Sequence, residues 1–403
     1  MSSMNNTNGK RILVSGAGIG GLCAAWWLSR SGYAVTIVEQ AATLRDEGYM
    51  LSISGAGRRV IEEMGLLPDL RQAALPVDRN LYLDARGRTI MQLNHGKLLT
   101  QLDHQVVLRG DLADILHQSL NDAVNLQPGT RISSLQQDAH GVDVQFNHGN
   151  TQRFDYVIGA DGFRSATRRL AFGPDTDFCQ HMGMQAAAYW INGGTALEED
   201  MVAIAEPRRM SMYYQLGSKG VTALHIWKSN LDAAPAQHTR RDYLLSEFAG
   251  SHPRVIDSIT KLSASSSVYM DALMQVHIPD WSRGRVVLLG DAAHCLTLAN
   301  GQGASMALAG AYCLAQELAA DSSPAALLRY QQRMRPGIAA LQLRGRKAAR
   351  LYLPDSVWSF RLRNWIMSAM PKSMLLNYFI KSAQEELHMT DHIQLQQASR
   401  RAA

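Results

Sequence analysis

The apolar and polar positions near the start of the chain change period twice within about thirty residues. Ile12, Leu13 and Val14 form a continuous apolar run, the pattern of a short strand buried on both faces. Gly16-Ala17-Gly18-Ile19-Gly20-Gly21 interrupts it, and Leu22-Cys23-Ala24-Ala25-Trp26-Trp27-Leu28 continues as a helix. A second strand, Ala34-Val35-Thr36-Ile37-Val38, ends in Glu39. Further on, Gly48 to Gly55 predicts a strand leading into a helix from Arg58 to Met64, stopped by Gly65 and Pro68. Leu81 to Leu93 reads as a hairpin turning at Ala85 to Arg88, and Val106 to Leu112 as the start of a helix with Asp111 in its first turn. Short strands follow at Arg131 to Leu135 and Val142 to Phe146.

The middle of the chain reads differently. Met184 to Ile191, Met201 to Glu206, Met210 to Leu216, Val221 to Lys228 and Ser266 to Met270 read as strands, with one helix near Asp242 to Phe248. Such a sheet, inserted between α/β segments, can wall a pocket. Two buried strands flank this block, and each ends in a loop that carries an acid and a glycine. One runs from Phe154 to Asp161-Gly162, the other from Arg285 to Gly290-Asp291-Ala292-Ala293-His294. Gly301-Gln302-Gly303 and a small-residue helix from Ala304 to Leu318 come next, and the rest is helical, including a long segment from Val357 to His388.

The glycines in the first turn define a chemistry. Gly16 suits the tight turn, Gly18 lets backbone approach a pyrophosphate, and Gly21 lets helix and strand pack closely, with Gly20 beside it. Amides at the helix start face an anion. Glu39 lies 23 residues after Gly16, where an acid accepts hydrogen bonds from a ribose diol. An acid there favours FAD or NAD over NADP, whose additional phosphate it would repel; the motif does not separate FAD from NAD.

Composition narrows this reading. With 403 residues, 46% hydrophobic and 19% charged, the chain is long enough for two or three globular domains. The net charge of +5 is mild and scattered, which does not favour a nucleic-acid surface. Cys23, Cys179, Cys295 and Cys313 form neither a Cys-x-x-Cys pair nor a metal-ligand spacing, so reduced structural thiols and no metal are expected. A polar start without a signal-peptide segment, and no run of 18 apolar residues, point to the cytoplasm and to no transmembrane span.

Three separated motifs, Gly16 to Gly21, Asp161-Gly162 and Gly290-Asp291, stand in the order and spacing of the single-component FAD-dependent aromatic monooxygenases, relatives of para-hydroxybenzoate hydroxylase, and the chain resembles that family over about its first 320 residues. The resemblance implies an α/β fold in which a Rossmann-like FAD-binding domain (9–75, 101–177 and 276–330) interleaves with a mainly antiparallel substrate domain (76–100 and 178–275). A C-terminal helical bridge (331–395) with one long helix completes it. The resemblance further implies that Glu39 holds the adenosine ribose, that Arg45 and Arg109 lie along the FAD, that Asp291 binds its ribityl or pyrophosphate part, and that Asp161-Gly162 serves FAD and NADPH. Gly301-Gln302-Gly303 would present amides to the flavin ring. It also implies that NADPH or NADH reduces bound FAD and that an oxygen atom of O2 passes, through a flavin C4a-hydroperoxide, to an electron-rich small molecule. The protein supplies position, dryness and charge.

The chain departs from the family at Leu298, where a proline is usual, and at Leu51, where some members have an acid. A narrower resemblance is to the tetracycline-inactivating flavin monooxygenases and polyketide hydroxylases. It makes Gln185, Arg209 and His225, on three of the predicted strands, the candidate contacts to a polycyclic substrate, and names no certain catalytic residue. Each has a bland competitor in a local hydrogen-bond network. Two other outcomes stay open: a biosynthetic hydroxylase of an aromatic acid, quinolone or quinone precursor, and a non-enzymatic flavin-bound sensor. The basic amphipathic tail from Val357 is compatible with a membrane surface, although packing between domains is the favoured use. A monomer is expected.

Overall fold

The apolar run Arg11–Ser15 lies in the middle of a six-stranded sheet, between Tyr156–Gly159 and Ala34–Glu39. Asn125–Pro128 extends the sheet beyond Ala34–Glu39, and Val286–Leu288 beyond Tyr156–Gly159, all parallel. Ser282–Arg283 adds an antiparallel edge. Parallel strands buried on both faces require apolar residues at every position, which explains the continuous rather than alternating pattern of Ile12, Leu13 and Val14. The structure is a computed structural model that describes residues 9–43, 49–94, 103–191, 196–263, 265–297, 301–354, 356–389 and 393.

Helix Ile19–Arg30 packs one face of this sheet against helix Gly303–Ala320, and both are rich in small residues that permit close approach. Gly57, in helix Gly55–Glu63, meets the second of these helices so closely that a Cβ would lie 2.4 Å from Cα of Ser305. Helix Arg109–Gln118 follows a strand, Gln105–Leu108, that pairs with Met50–Ile53. The strand takes the first residues of the segment expected to be helical.

A seven-stranded sheet forms the second layer, in the order Tyr269–Val276, Cys179–Ile191, Val221–Lys228, Arg209–Gln215, Met201–Glu206, Arg79–Asp84, Thr89–Asn94. The hairpin formed by the last two joins strands more than a hundred residues away through one parallel pairing, Ala203 opposite Tyr82. Both faces are covered. One holds Tyr189, Tyr213, Trp227 and the helices Arg240–Glu247 and Pro253–Thr260. The other holds Met184, Ala186, Met210, Met212 and Ile226, with Ala349, Leu353 and Phe360 from the C-terminal helices. The sequence reading anticipated one helix on the first face; the structure has two.

The C-terminal region differs from the single long helix expected. Ala325–Tyr352 is followed by Val357–Ala369 and Lys372–His388, separated at Met370-Pro371. Met370 is extended, with φ −77° and ψ 133°, because the ring of a following proline disfavours the helical region. The chain then returns to the first domain, where Ile393 is buried in its core.

Candidate active site

The first glycine turn folds as its spacing requires. Gly16 has φ +107°, and a Cβ there would lie 2.5 Å from the Ala160 carbonyl oxygen, so the turn touches the next strand's loop. A Cβ at Gly21 would lie 2.0 Å from the Gly16 carbonyl oxygen. At Gly18 it would meet only Nη2 of Arg109, at 3.9 Å, which leaves this part of the loop open to a ligand beneath a guanidinium. Gly20 instead faces Ala307 and Leu289, which makes it a packing position rather than a lining one. Helix Ile19–Arg30 has no side-chain cap on its first turn, so its dipole acts on whatever lies in front of it.

Glu39 closes the other side of the loop. Its Oε2 accepts from the Ala17 amide and its Oε1 from the Ala41 amide, both at 2.9 Å. Each oxygen retains a second acceptor direction, which is the chemistry a ribose diol needs. The half-buried carboxylate is thus aimed before any ligand arrives.

Asp291 approaches from the far end of the chain. Burial pushes its carboxyl above the usual range, with Arg109 opposing that shift, yet its surface remains accessible, so it lines a cleft and not a core. A Cβ at Gly303 would lie 3.9 Å from Asp291 Oδ1. Gly18, Arg109, Asp291 and Gly303 therefore follow one another across the cleft, from the start of one helix to the start of another. Arg109 also sits over the ring of Tyr49, 5.9 Å from its centroid, and Tyr49 stacks on Tyr269 at 5.5 Å. Sequence reasoning missed both tyrosines; nothing in their immediate sequence marks them.

At the Gly303 end, Gln302 turns inward. Its Nε2 donates to Ser54 Oγ at 3.0 Å, while the Ser54 amide donates to Ser305 Oγ at 3.2 Å. The side chain anchors the loop and leaves its backbone to face the cleft. Gly301 has φ +64°, and Thr297 holds φ +76° with a buried hydroxyl that finds no partner among the described residues. Glu386, on the last helix, also interacts with Gln302 and forms an ion pair with Arg344 at 3.3 Å. Arg45 and Leu298 lie outside the described residues. Leu51 lies in the strand that pairs with Val106 and Val107.

Both carboxylate oxygens of Asp161 are engaged locally. Its Oδ2 accepts from the amide and hydroxyl of Thr167, each at 2.9 Å, and its Oδ1 accepts from Ser165. The carboxylate caps helix Ala166–Ala171, as acids do at helix starts. Gly162, with φ +76° and no atom within 4 Å of a Cβ, supplies the turn. Arg168 is the residue here that the sequence did not single out. Fully buried, it donates to the carbonyls of Phe163 and, at 2.8 Å, Ala292, and pairs with Asp175 at 2.6 Å. It thereby ties the Asp161 loop to the Asp291 loop.

The three candidate substrate contacts lie on the helix-covered side of the seven-stranded sheet, opposite Tyr269. Tyr269 marks the cleft face of the sheet, and Asp271 and Leu273 alternate onto the same face, whereas Met270 packs with the helices on the other. Ala187, His225 and Ser211 form one cross-strand row on that helix-covered side. His225 Nδ1 contacts Ser211 Oγ at 2.8 Å and Nε2 contacts the Tyr189 hydroxyl at 2.7 Å, and burial pushes its pKa down to about 3. Arg209 donates to the Glu247 carbonyl at 2.6 Å. Gln185 accepts from Tyr243 at 3.0 Å and donates to the Leu231 carbonyl at 3.3 Å. Replacing His225 by alanine is expected to cost about 2 kcal/mol of stability, because a buried ring is lost together with its contacts to Ser211 and Tyr189, although Tyr189 keeps Ser258 at 3.2 Å. Chemical denaturation should show this loss, and steady-state kinetics should show an unchanged KM.

A parallel sheet, an open glycine turn under a guanidinium, an oriented carboxylate and a second helix start beyond Asp291 thus stand together at one end of the first sheet. The chain belongs to the class A FAD-binding monooxygenase family, whose sequence profile, described as FAD binding domain, matches residues 10–343. It is a flavin-dependent monooxygenase, an oxidoreductase with FAD as its cofactor. It is 31% identical over 352 residues to a flavin-dependent monooxygenase from an unknown prokaryotic organism, covering 86% of this chain and 91% of that one. Among solved structures it is similar to the tetracycline destructase Tet(55), with 28% identity, a TM-score of 0.77, and coverage of 90% of this chain and 95% of the other. The fold also matches a single-substitution variant of Klebsiella pneumoniae HpxO complexed with FAD, at TM-score 0.79 and 24% identity, covering 94% of this chain and 99% of that one.

Proposed function

We propose that this monooxygenase hydroxylates a phenolic or polycyclic aromatic small molecule with NADPH or NADH as reductant, and that tetracyclines are within its substrate range. The observation that carries this reading is the tyrosine pair at the edge of the apolar sheet face, where Tyr269 stacks on Tyr49 beside Arg109. Behind it, two adjacent cross-strand rows, Ala186-Ile226-Met210-Ala205 and Ala188-Leu224-Met212-Ala203, are apolar, and the C-terminal helices cover them in part at Ala349, Leu353 and Phe360. Methionine adapts to irregular flat ligands, and aromatic and methionine side chains at such an edge suit fused rings. The similarity to a tetracycline destructase supports the same choice.

In this reading FAD lies along Glu39, Gly18, Arg109, Asp291 and Gly303, and supplies electron transfer and oxygen activation. The chain's own groups have separate tasks: Glu39 accepts from the ribose, the two helix starts stabilise negative charge, and Arg109 neutralises phosphate. His294, stacked on Trp281 at 4.7 Å and pushed down to about 4 by burial, stays neutral at assay pH and supports the loop without adding charge.

The test measures NADPH and NADH oxidation by the flavin-loaded protein with tetracyclines, simple phenols and aromatic acids, followed by product mass. A tetracycline product heavier by one oxygen atom is the expected result. Stimulation by aromatic acids alone would replace the polycyclic reading with the biosynthetic one.

A further inference from the structure

Helix Val357–Ala369 carries two apolar faces. Phe360 is buried against the methionine-lined side of the sheet, and on the opposite side Trp358, Leu362, Trp365 and Ile366 point outward. These four recur at intervals of four, three and one residues, which places them on one stripe of an α-helix about 180° from Phe360. Their exposures are 79%, 58%, 68% and 44%, and Met374 at the start of the next helix is 60% exposed. Scattered exposed apolar residues need no explanation, but an aligned ridge with two tryptophans does.

The charge around the ridge selects its partner. Arg361 is exposed beside the ridge, its guanidinium 5.8 Å from the centroid of the Trp358 ring. From Ser356 to Gln384 the sequence holds Arg361, Arg363, Lys372 and Lys381 and no acid. A twofold contact between two copies through this helix would set cations against their own symmetry mates without a counter-charge. An anionic lipid surface supplies that charge, and tryptophan is the side chain best suited to the headgroup region, with an apolar body and a polar N–H.

We propose that helix Val357–Ala369 docks in the plane of an anionic bilayer, burying Trp358, Leu362, Trp365 and Ile366 among the acyl chains and leaving Arg361 at the headgroups. No helix among the described residues is long and apolar enough to cross a membrane, so the attachment is peripheral. The inference does not depend on which compound is oxidised.

The flavin-loaded full chain is mixed with phosphatidylcholine vesicles, with and without phosphatidylglycerol, and sedimented. Expected is co-sedimentation with the anionic vesicles, weakening as salt rises, with a blue shift of tryptophan emission. A W358S/W365S double variant should partition about tenfold less while retaining its flavin spectrum and melting temperature, since both side chains are exposed. Protein that stays in the supernatant with anionic vesicles at low salt overturns the proposal. So does undiminished binding by the double variant, or a concentration-dependent dimer in sedimentation velocity that these substitutions abolish, which would assign the ridge to a second copy.

Discussion

Replacing Arg168 by methionine is expected to destabilise the protein by about 3 kcal/mol and to lower the flavin content of the purified enzyme. The side chain is fully buried and holds two carbonyls, those of Phe163 and Ala292, together with the Asp175 carboxylate. Methionine matches its length but donates nothing, so the buried contact to Ala292 and the part-buried contact to Phe163 lose their charged donor at once. Asp175 is about one-third exposed and also binds Arg169 at 2.8 Å, so the charge left behind is partly solvated, which places the loss at the low end for broken buried pairs. The same geometry separates this residue from an ordinary core arginine, because Phe163 follows Asp161-Gly162 and Ala292 follows Asp291, so one side chain ties the two motifs together. Chemical denaturation of the apoprotein isolates the stability loss, and the flavin-to-protein absorbance ratio isolates the effect on the cofactor. Asp175→Asn should cost less in both measurements. An Arg168→Met protein with wild-type stability and full flavin would show that the loops need no tie.

The elements of the cofactor end are legible because they are local. Gly16, Gly18, Gly21 and Glu39 lie within one βαβ unit, where turn geometry, helix start and strand end are fixed by neighbours in sequence. Asp161 looked equally chemical, but an acid followed by Ser165 and Thr167 within six residues also satisfies the start of a helix, and that local use took it. The substrate side was illegible for a different reason. A half-solvated strand announces its face by alternation, whereas Val221–Lys228 packs against helices on one face and against the cleft and C-terminal helices on the other. Leu224 and Ile226 alternate with Ala223 and His225, and the polarity of His225 marks no open face, because Tyr189 and Ser211 satisfy it. Gln185, Arg209 and His225 came from the narrower resemblance, and because side chains alternate between faces all three lie together on the helix-covered side. Arg168 has local partners in Phe163 and Asp175, but its contact with Ala292 joins segments 124 residues apart, and no spacing rule reaches it. Pro371, by contrast, was a visible signal for the break in the last helix.

Gly21→Ala and Gly18→Ala are expected to fail in different ways, although they change neighbouring glycines of one motif. At Gly21 the added methyl meets the Gly16 carbonyl oxygen at 2.0 Å, a backbone atom in a turn that is itself pressed against Ala160. Nothing flexible can yield, so the helix must move away from the sheet, and the apoprotein should lose about 3 kcal/mol together with its flavin. At Gly18 the backbone is ordinary for any residue, with φ −77° and ψ −179°, and the nearest atom to the methyl is the Arg109 guanidinium at 3.9 Å. The apoprotein should therefore melt within about 0.5 kcal/mol of the parent, since the substitution touches no packed atom. Its methyl would occupy the space through which a pyrophosphate approaches the helix start, and flavin affinity should fall by at least about tenfold, or about 1.4 kcal/mol. Melting of the flavin-free proteins and titration with FAD separate the two behaviours. Equal destabilisation of both apoproteins would mean that Gly18 serves packing, and unaltered FAD affinity in Gly18→Ala would move the pyrophosphate away from this turn and remove the reason for placing Arg109 and Asp291 along the cofactor.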